Sequence, residues 1–281
     1  MLYGITMFAT DYAIRPDELA RLLEERGFES LWLPEHTHIP AGRRSPWPGG
    51  PELPKHYWHT YDPFVALTAA ALATTRLKVA TGICLIAQRD PITTAKEVAS
   101  VDQLSGGRFI FGIGGGWNAE EMEHHGTNFK LRWRVLRERV LAMTEIWTKE
   151  EPEFHGRFVD FDRIRAYPKP VQRPHPPIIM GGDAPTTFDR VIEFCDGWMP
   201  IWGRPAPGPS LPEKIAILRR RAGEAGRDPK SISVSIYGAR PEREVIDKLE
   251  EAGVDRVVFG LPPAERDEVL PVLDRYAELI R

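Results

Sequence analysis

Residues 77–117 read LKVATGICLIAQRDPITTAKEVASVDQLSGGRFIFGIGGGW, and this stretch decides the fold. It holds a short β-branched run at 78–81, a run at 91–104 whose apolar residues recur at helical spacing, and a second apolar run at 109–112. This is the order of a βαβ unit, in which a helix connects two parallel strands by a right-handed crossover. Both strands therefore end at the same edge of the sheet, where we expect Gly82 and residues 114–116 to meet.

The same alternation of strands and helices extends in both directions from this unit. Apolar patterns predict eight strands, at residues 2–8, 30–33, 78–81, 109–112, 177–180, 197–200, 232–237 and 256–259. They predict eight helices, at residues 16–26, 63–74, 91–104, 131–148, 186–194, 212–225, 242–252 and 269–280. Eight βα units predict one domain over residues 1–281, a closed (β/α)8 TIM barrel that binds ligands at the carboxyl ends of its strands. A doubly wound open sheet is the alternative, but it would more often use fewer units and a second domain.

Composition narrows the class of partner. The chain has 37 Lys and Arg residues against 40 Asp and Glu, a net charge of −3, and the two signs are interspersed. No basic surface for nucleic acid and no polybasic patch for a membrane is expected from this pattern. No apolar run approaches the roughly 20 residues that a membrane span needs, and the first residues do not resemble a signal peptide. We expect a cytoplasmic protein that acts on a small molecule, with Cys84 and Cys195 as buried thiols.

A long irregular loop follows the second predicted strand. Residues 34–62 are rich in proline and glycine, and the part at 39–61 is expected to cover the ligand pocket. Its aromatic residues suggest an apolar or aromatic substrate: Trp47, Tyr57, Trp58 and Tyr61.

The start of this loop carries residues suited to proton transfer. Glu35 and His36 directly follow the strand, so both should face the barrel mouth, and a histidine beside a carboxylate can exchange protons near neutral pH. His36 and His38 also form an H-x-H pair, with His56 and His59 nearby. A zinc-dependent hydrolase is therefore an alternative, although no later strand ends in residues that would complete the ligand set.

Glycines mark two other strand ends. Residues 112–116 (GIGGG) are followed by Trp117, where a dinucleotide-binding fingerprint would need its third glycine. Glycines at the end of a barrel strand instead allow backbone N–H groups to approach a flat ring or a phosphate, and a helix starting at 118–123 would favour anions. Residues 181–183 (GGD) end the next predicted strand.

Four segments together resemble the luciferase-like monooxygenase superfamily, and within it the short, single-barrel oxidoreductases that use the deazaflavin F420. They are GFESLWLPEHTHIP (27–40), the segment from ATGICLIAQRD to GIGGGWNAEEMEHHG (80–126), PPIIMGGD (176–183) and CDGWMP (195–200). The similarity extends over nearly the whole chain. It implies the bacterial-luciferase-like form of the (β/α)8 barrel.

The resemblance also implies roles for individual residues. Glu35 and His36 match the acidic residue and histidine at the edge of the isoalloxazine ring, where the histidine assists proton or hydride transfer. Gly82 and Ile83 match a non-prolyl cis peptide that forms a bulge behind the ring. The remaining matches to cofactor-contacting positions are Gly114, Gly115, Gly116, Trp117, Asn118, Met180, Gly181, Gly182 and Asp183. No metal ligand is implied.

Gly115 stands where bacterial luciferases use an arginine for the FMN phosphate. This departure favours coenzyme F420 over FMN. The sequence therefore predicts hydride transfer between F420 and a small organic substrate, and the resemblance implies a homodimer. The alternatives are a reduced-FMN-dependent monooxygenase and, from other classes, a non-catalytic flavin-binding protein or the barrel metallohydrolase.

Overall fold

The structure, a computed structural model, describes residues 1–204 and 208–281. The strands in these residues are β1 (Leu2–Thr6), β2 (Ser30–Leu33), β3 (Lys78–Thr81), β4 (Phe109–Ile113), β5 (Phe154–His155), β6 (Asp160–Phe161), β7 (Ile178–Gly181), β8 (Gly197–Met199), β9 (Ser233–Ala239) and β10 (Arg256–Gly260). All but β5 and β6 form a closed barrel in the order β1-β10-β9-β8-β7-β4-β3-β2, with parallel neighbours throughout. The predicted (β/α)8 barrel is confirmed, and β5 and β6 form a separate antiparallel hairpin.

Helices cover the outside of the barrel. Those in the described residues are α1 (Pro16–Glu25), α2 (His56–His59), α3 (Pro63–Leu72), α4 (Pro91–Ser105), α5 (Ala119–His124), α6 (Arg132–Thr148), α7 (Thr187–Phe194), α8 (Leu211–Glu224), α9 (Arg243–Glu251) and α10 (Arg266–Leu279). Each predicted helix has a counterpart. The short α2 lies inside the long loop, where no helix was expected.

Local sequence explains where α4, the helix of the central βαβ unit, begins and ends. The Asp90 side chain accepts a hydrogen bond from the Thr93 backbone N–H at 2.8 Å, and Pro91 occupies the first turn. Gly106 ends the helix with φ of 66°, a left-handed conformation that glycine adopts without a Cβ clash. The chain is thereby directed back into β4.

The barrel interior is packed with side chains below the strand ends. Trp32, Ile110, Ile179, Met199 and Val258 belong to one buried cluster that draws residues from different strands. Trp198 is fully buried and packs in the core. The cysteines Cys84 and Cys195 are both buried and unpaired, as predicted. Within residues 1–204 and 208–281, no helix has the length and hydropathy that a membrane crossing requires.

Candidate active site

A cavity of about 420 Å³ opens at the carboxyl ends of the barrel strands. Nine of the eleven residues predicted to contact a cofactor line it, namely Gly82, Ile83, Gly114, Gly115, Gly116, Trp117, Gly181, Gly182 and Asp183. Its wall also contains residues that the sequence did not single out, among them Arg132, Trp133, Thr187, Met199, Ile201, Arg204 and Tyr237. These residues come from later elements and carry no glycine-rich or histidine-rich signature.

The floor of the cavity is a bulge after β3. The Gly82–Ile83 peptide bond is cis, as the family resemblance implied. The Ile83 side chain lies between two neighbouring strand ends: a Cβ added at Gly114 would lie 2.7 Å from Ile83 Cδ1, and one at Gly181 would lie 3.0 Å from Ile83 Cγ2. Glycine at these two positions therefore makes room for Ile83 as well as exposing backbone to the cavity.

Gly115 faces an aromatic ring. A Cβ at this position would lie 2.6 Å from the ring of Trp133, near the start of α6. Such a distance is shorter than any real contact, so no side chain fits at position 115 while Trp133 keeps its place. The indole thus occupies the space that a longer side chain at position 115 would need.

The histidine after β2 is held by a carboxylate from another part of the chain. His36 Nδ1 lies 2.7 Å from Glu121 Oε2, and Glu121, on α5, is completely buried. The other carboxylate oxygen of Glu121 accepts a hydrogen bond from the Thr37 backbone N–H at 3.1 Å. Because an ionised carboxylate only accepts hydrogen bonds, Nδ1 of His36 is the donor, and Nε2 is left for other chemistry.

Glu35 has different partners, so the expectation that it pairs with His36 at the mouth is wrong. Its carboxylate accepts hydrogen bonds from the Leu85 backbone N–H and from Arg89 Nε, both at 2.6 Å. Arg89 also binds Asp62 at 2.6 Å and Glu97 at 2.8 Å. Burial acts to lower the pKa of Arg89, but the negative charges around it, Glu35 foremost, raise that pKa above its ordinary value. Glu35, itself buried, thus anchors the loop after β3 through an ion network that extends to the partly exposed Asp62 and Glu97.

Aromatic side chains surround His36. Its ring centroid lies 5.1 Å from that of Tyr57 and 5.7 Å from that of Trp117, which lines the cavity. The Trp47 indole N–H donates to the Tyr57 hydroxyl at 2.9 Å, and burial raises the pKa of Tyr57. The loop at 39–61 therefore packs over His36 through Trp47 and Tyr57.

The other two aromatic residues of that loop face solvent. Trp58 is 50% exposed and Tyr61 is 43% exposed. None of the four aromatic residues of the loop, and no other residue of 39–61, lines the cavity, so the expected contribution of these aromatic residues to an apolar pocket is not seen.

The four histidines of the loop region do not come together. His56 stacks on Tyr57, and His59 Nδ1 lies 2.9 Å from Asp11 Oδ1. His38 Nε2 instead lies 2.8 Å from His124 Nδ1 on α5. In the described part of the chain, no group of three or more His, Cys, Asp or Glu side chains is arranged to hold a metal ion. The zinc alternative has no ligand set there.

Two of the residues predicted to contact a cofactor, Asn118 and Met180, do not line the cavity. Asn118 is buried, and its side-chain oxygen accepts the Glu121 backbone N–H at 3.2 Å, which caps α5. Met180 is fully buried in the core. Asn118 therefore positions the helix that carries Glu121, and Met180 packs the interior.

The parallel eight-stranded barrel has a glycine-lined cavity and a buried His–Glu pair at the carboxyl ends of its strands, the end where enzymes of this fold hold their active sites. Residues 15–241 match the family model described as luciferase-like monooxygenase, and the chain belongs to this family.

Two relatives match nearly the whole of this chain in sequence. The chain is 37% identical over 283 residues to an uncharacterized protein of Mycobacterium tuberculosis, Rv0953c, with 99% of this chain and 98% of the relative covered. It is 25% identical over 284 residues to a 5,10-methylenetetrahydromethanopterin reductase of Methanolobus tindarius, with 96% and 78% covered.

Solved structures share the fold. The monooxygenase RslO1 of Streptomyces bottropensis superposes with a TM-score of 0.81 at 20% identity, covering 100% of this chain and 98% of that one. An F420-dependent secondary alcohol dehydrogenase in complex with an F420-acetone adduct gives a TM-score of 0.74 at 20% identity, with 99% and 98% covered. Neighbours of this barrel thus include both monooxygenases and F420-dependent enzymes.

Proposed function

We propose that this protein is an F420-dependent oxidoreductase that transfers a hydride between the deazaflavin and a small organic substrate. The observation that carries the proposal is the cavity floor, where the Gly82–Ile83 bulge and the glycines at 114–116 and 181–182 leave a surface that is poor in side chains. Such a surface suits a planar ring system. His36 does not itself line the cavity, but its ring centroid lies 5.7 Å from that of the lining residue Trp117. The Methanolobus tindarius relative, a 5,10-methylenetetrahydromethanopterin reductase, supports the oxidoreductase part of the proposal by its similarity in sequence.

The residues of this chain would fit the cofactor in three ways. Ile83 would support the ring from behind, residues 114–116 and 181–183 would offer backbone groups to its edge and side chain, and Tyr237 would close the inner wall. When bound, F420 supplies two-electron hydride chemistry. His36 would hold or deliver a proton at Nε2, because Nδ1 is committed to Glu121, and the aromatic cover from Tyr57 and Trp117 would limit access of water.

Position 115 excludes one mode of FMN binding, the arginine contact that the resemblance associates with the FMN phosphate. The Trp133 ring fills the space beside Gly115, so the arginine that the resemblance associates with an FMN phosphate has no room there. A reduced-FMN monooxygenase remains the second candidate, because RslO1 matches the fold over its whole length.

The first experiment is a fluorescence titration of the purified apoprotein with F420 and, separately, with FMN. Micromolar or tighter binding of F420, and FMN binding at least tenfold weaker, is the expected result. Tight binding of FMN alone would overturn the F420 proposal and direct a substrate screen to oxygen consumption.

A variant of His36 separates an enzyme from a flavin-binding protein. His36→Asn should bind F420 as the wild type does but lose turnover with a substrate found by screening reduced and oxidised F420. Unchanged turnover would remove His36 from the mechanism.

A further inference from the structure

Two arginines lie close to the indole of Trp133 at one wall of the cavity, and Arg132 also stacks on Phe129, with its Cζ 3.8 Å from that ring centroid. Arg190 Cζ, from α7, lies 4.2 Å from the ring centroid of Trp133, and Arg132 Cζ lies 5.5 Å from the same centroid. Arg132 and Trp133 line the cavity, and Arg190 donates hydrogen bonds to the carbonyl and hydroxyl oxygens of Thr186, next to the lining residue Thr187. Stacking on an aromatic face fixes the plane of a guanidinium while leaving its edge free.

Within residues 1–204 and 208–281, no carboxylate lies within ion-pair distance of either guanidinium. The nearby acidic side chains have other partners: Glu193 binds Arg137, and Asp189 binds Arg221. Lys214, near the same cavity, differs from the two arginines because it has a carboxylate partner. Its ammonium lies 2.6 Å from Asp183.

The environment of both arginines disfavours their positive charge. Burial lowers the pKa of Arg132, and the charge of Arg190 lowers it further. Burial likewise lowers the pKa of Arg190. Arg132 Nε is buried and has no hydrogen-bond partner, although its Nη1 donates to the Phe129 carbonyl at 2.9 Å. A buried donor without a partner is costly, and an anion at this place would both satisfy it and relieve the repulsion between the two cations.

We propose that Arg132 and Arg190, both close to Trp133, form an anion subsite that takes the phosphate of a ribityl phosphate side chain. This rests on the proposed function for the identity of the ligand. The ring system would lie on the glycine floor, and its phosphorylated side chain would run toward α6 and α7. FMN, a phosphomonoester, and F420, a phosphodiester, share this chemistry, so the test includes both.

The test compares Arg132→Gln and Arg190→Gln with a matched control, Arg134→Gln, which removes an exposed arginine of the same helix. Dissociation constants are measured by fluorescence titration for F420, FMN, riboflavin and the phosphate-free deazariboflavin. For the phosphorylated cofactor that the wild type binds, each cavity variant should raise Kd roughly tenfold or more, since one charge-assisted hydrogen bond is lost. Arg134→Gln should leave Kd unchanged, and the phosphate-free compounds should bind all four proteins equally.

A second measurement needs no cofactor. Sulfate, compared with chloride at equal ionic strength, should raise the thermal midpoint of the wild type and of Arg134→Gln more than that of either cavity variant. Arg132→Lys and Arg190→Lys keep the positive charge, so they should retain part of the sulfate-dependent rise in thermal midpoint that the glutamine variants lose. This comparison separates the contribution of charge from that of side-chain packing.

The outcomes distinguish the two proposals. If F420 binds to the wild type, and the Arg132 and Arg190 variants either bind it equally tightly or lose affinity for the phosphate-free compounds to the same extent, the subsite is refuted and the proposed function stands. If sulfate protects through these arginines but neither F420 nor FMN binds, the subsite stands and the proposed function fails.

Discussion

His36 and Glu121 are 85 positions apart in the chain, and Nδ1 of the histidine lies 2.7 Å from the carboxylate of the glutamate in a buried setting. This contact joins the loop after β2 to the helix after β4. It fixes the orientation of the imidazole and assigns its hydrogen to Nδ1. Glu121 is therefore a positioning residue for His36.

Glu121→Gln should lower turnover roughly a hundredfold, because the amide can present its N–H to Nδ1 and reverse the tautomer of His36. Nitrogen NMR of the labelled histidine should show Nδ1 protonated in the wild type and altered in the variant, while the Kd for the cofactor stays unchanged. Glu123→Gln, which changes an exposed residue of the same helix, is the control. Equal turnover of Glu121→Gln and wild type would contradict the role.

Arg89→Met should destabilise the protein by about 3–5 kcal/mol, because it leaves the Glu35 carboxylate buried without its cation. Urea unfolding at neutral pH measures the change. Arg137→Met, which breaks an exposed pair with Glu193, should cost less than about 1 kcal/mol. The double variant Arg89→Met/Glu35→Gln should recover part of the loss, and a loss as large as in the single variant would argue that packing of Arg89 on Phe64 dominates.

Gly115→Ala should displace Trp133 and lower the free energy of unfolding by about 1–3 kcal/mol, the usual effect of overpacking. Gly260→Ala is a suitable control, since nothing lies within 4 Å of a Cβ there. Adding Trp133→Leu to Gly115→Ala should restore much of the stability in a thermal melt. Failure of the second change to rescue would show that the ring is not the obstacle.

The free energy of unfolding should depend on pH because of the ionisation of Glu29. Burial acts to raise the pKa of this carboxyl, but hydrogen bonds and the charge of Arg256 outweigh it and hold the pKa at about 2, below its ordinary value of 4.5. Its contribution, about 3 kcal/mol, is therefore complete above pH 4.5 and is lost as pH falls toward 2.

Glu29→Gln should accordingly be less stable than the wild type at pH 7, and the difference should shrink as the pH falls toward 2. Urea unfolding at several pH values measures this. Glu193→Gln, at an exposed pair, should show no comparable pH dependence. A difference between Glu29→Gln and wild type that persists at pH 2 would contradict the assignment.

The barrel could be predicted because its signals are local. The period of apolar residues changes from strand to helix within residues 77–117, and Asp90 and Gly106 mark the ends of the intervening helix. The glycines at 114–116 and 181–182 could be placed at the cavity for the same reason, since parallel strands all end on one side of the barrel.

Contacts between residues that are far apart in the chain could not be predicted from these local patterns. Glu35 is the neighbour of His36 in sequence, yet consecutive side chains diverge and Glu35 is directed to Arg89. Glu121 carries no motif of its own, and nothing local relates it to residue 36.

The sequence by itself determined the alternation of eight strands and helices, the side of the barrel that holds the cavity and the glycine-rich surface of its floor. Only the tertiary structure decided which carboxylate holds His36, that Trp133 fills the space beside Gly115, and that Arg132 and Arg190 share one indole. The physical reason is that periodicity and turn chemistry act over a few residues, whereas hydrogen bonds, ion pairs and cavity walls depend on side-chain distances that closure of the barrel sets.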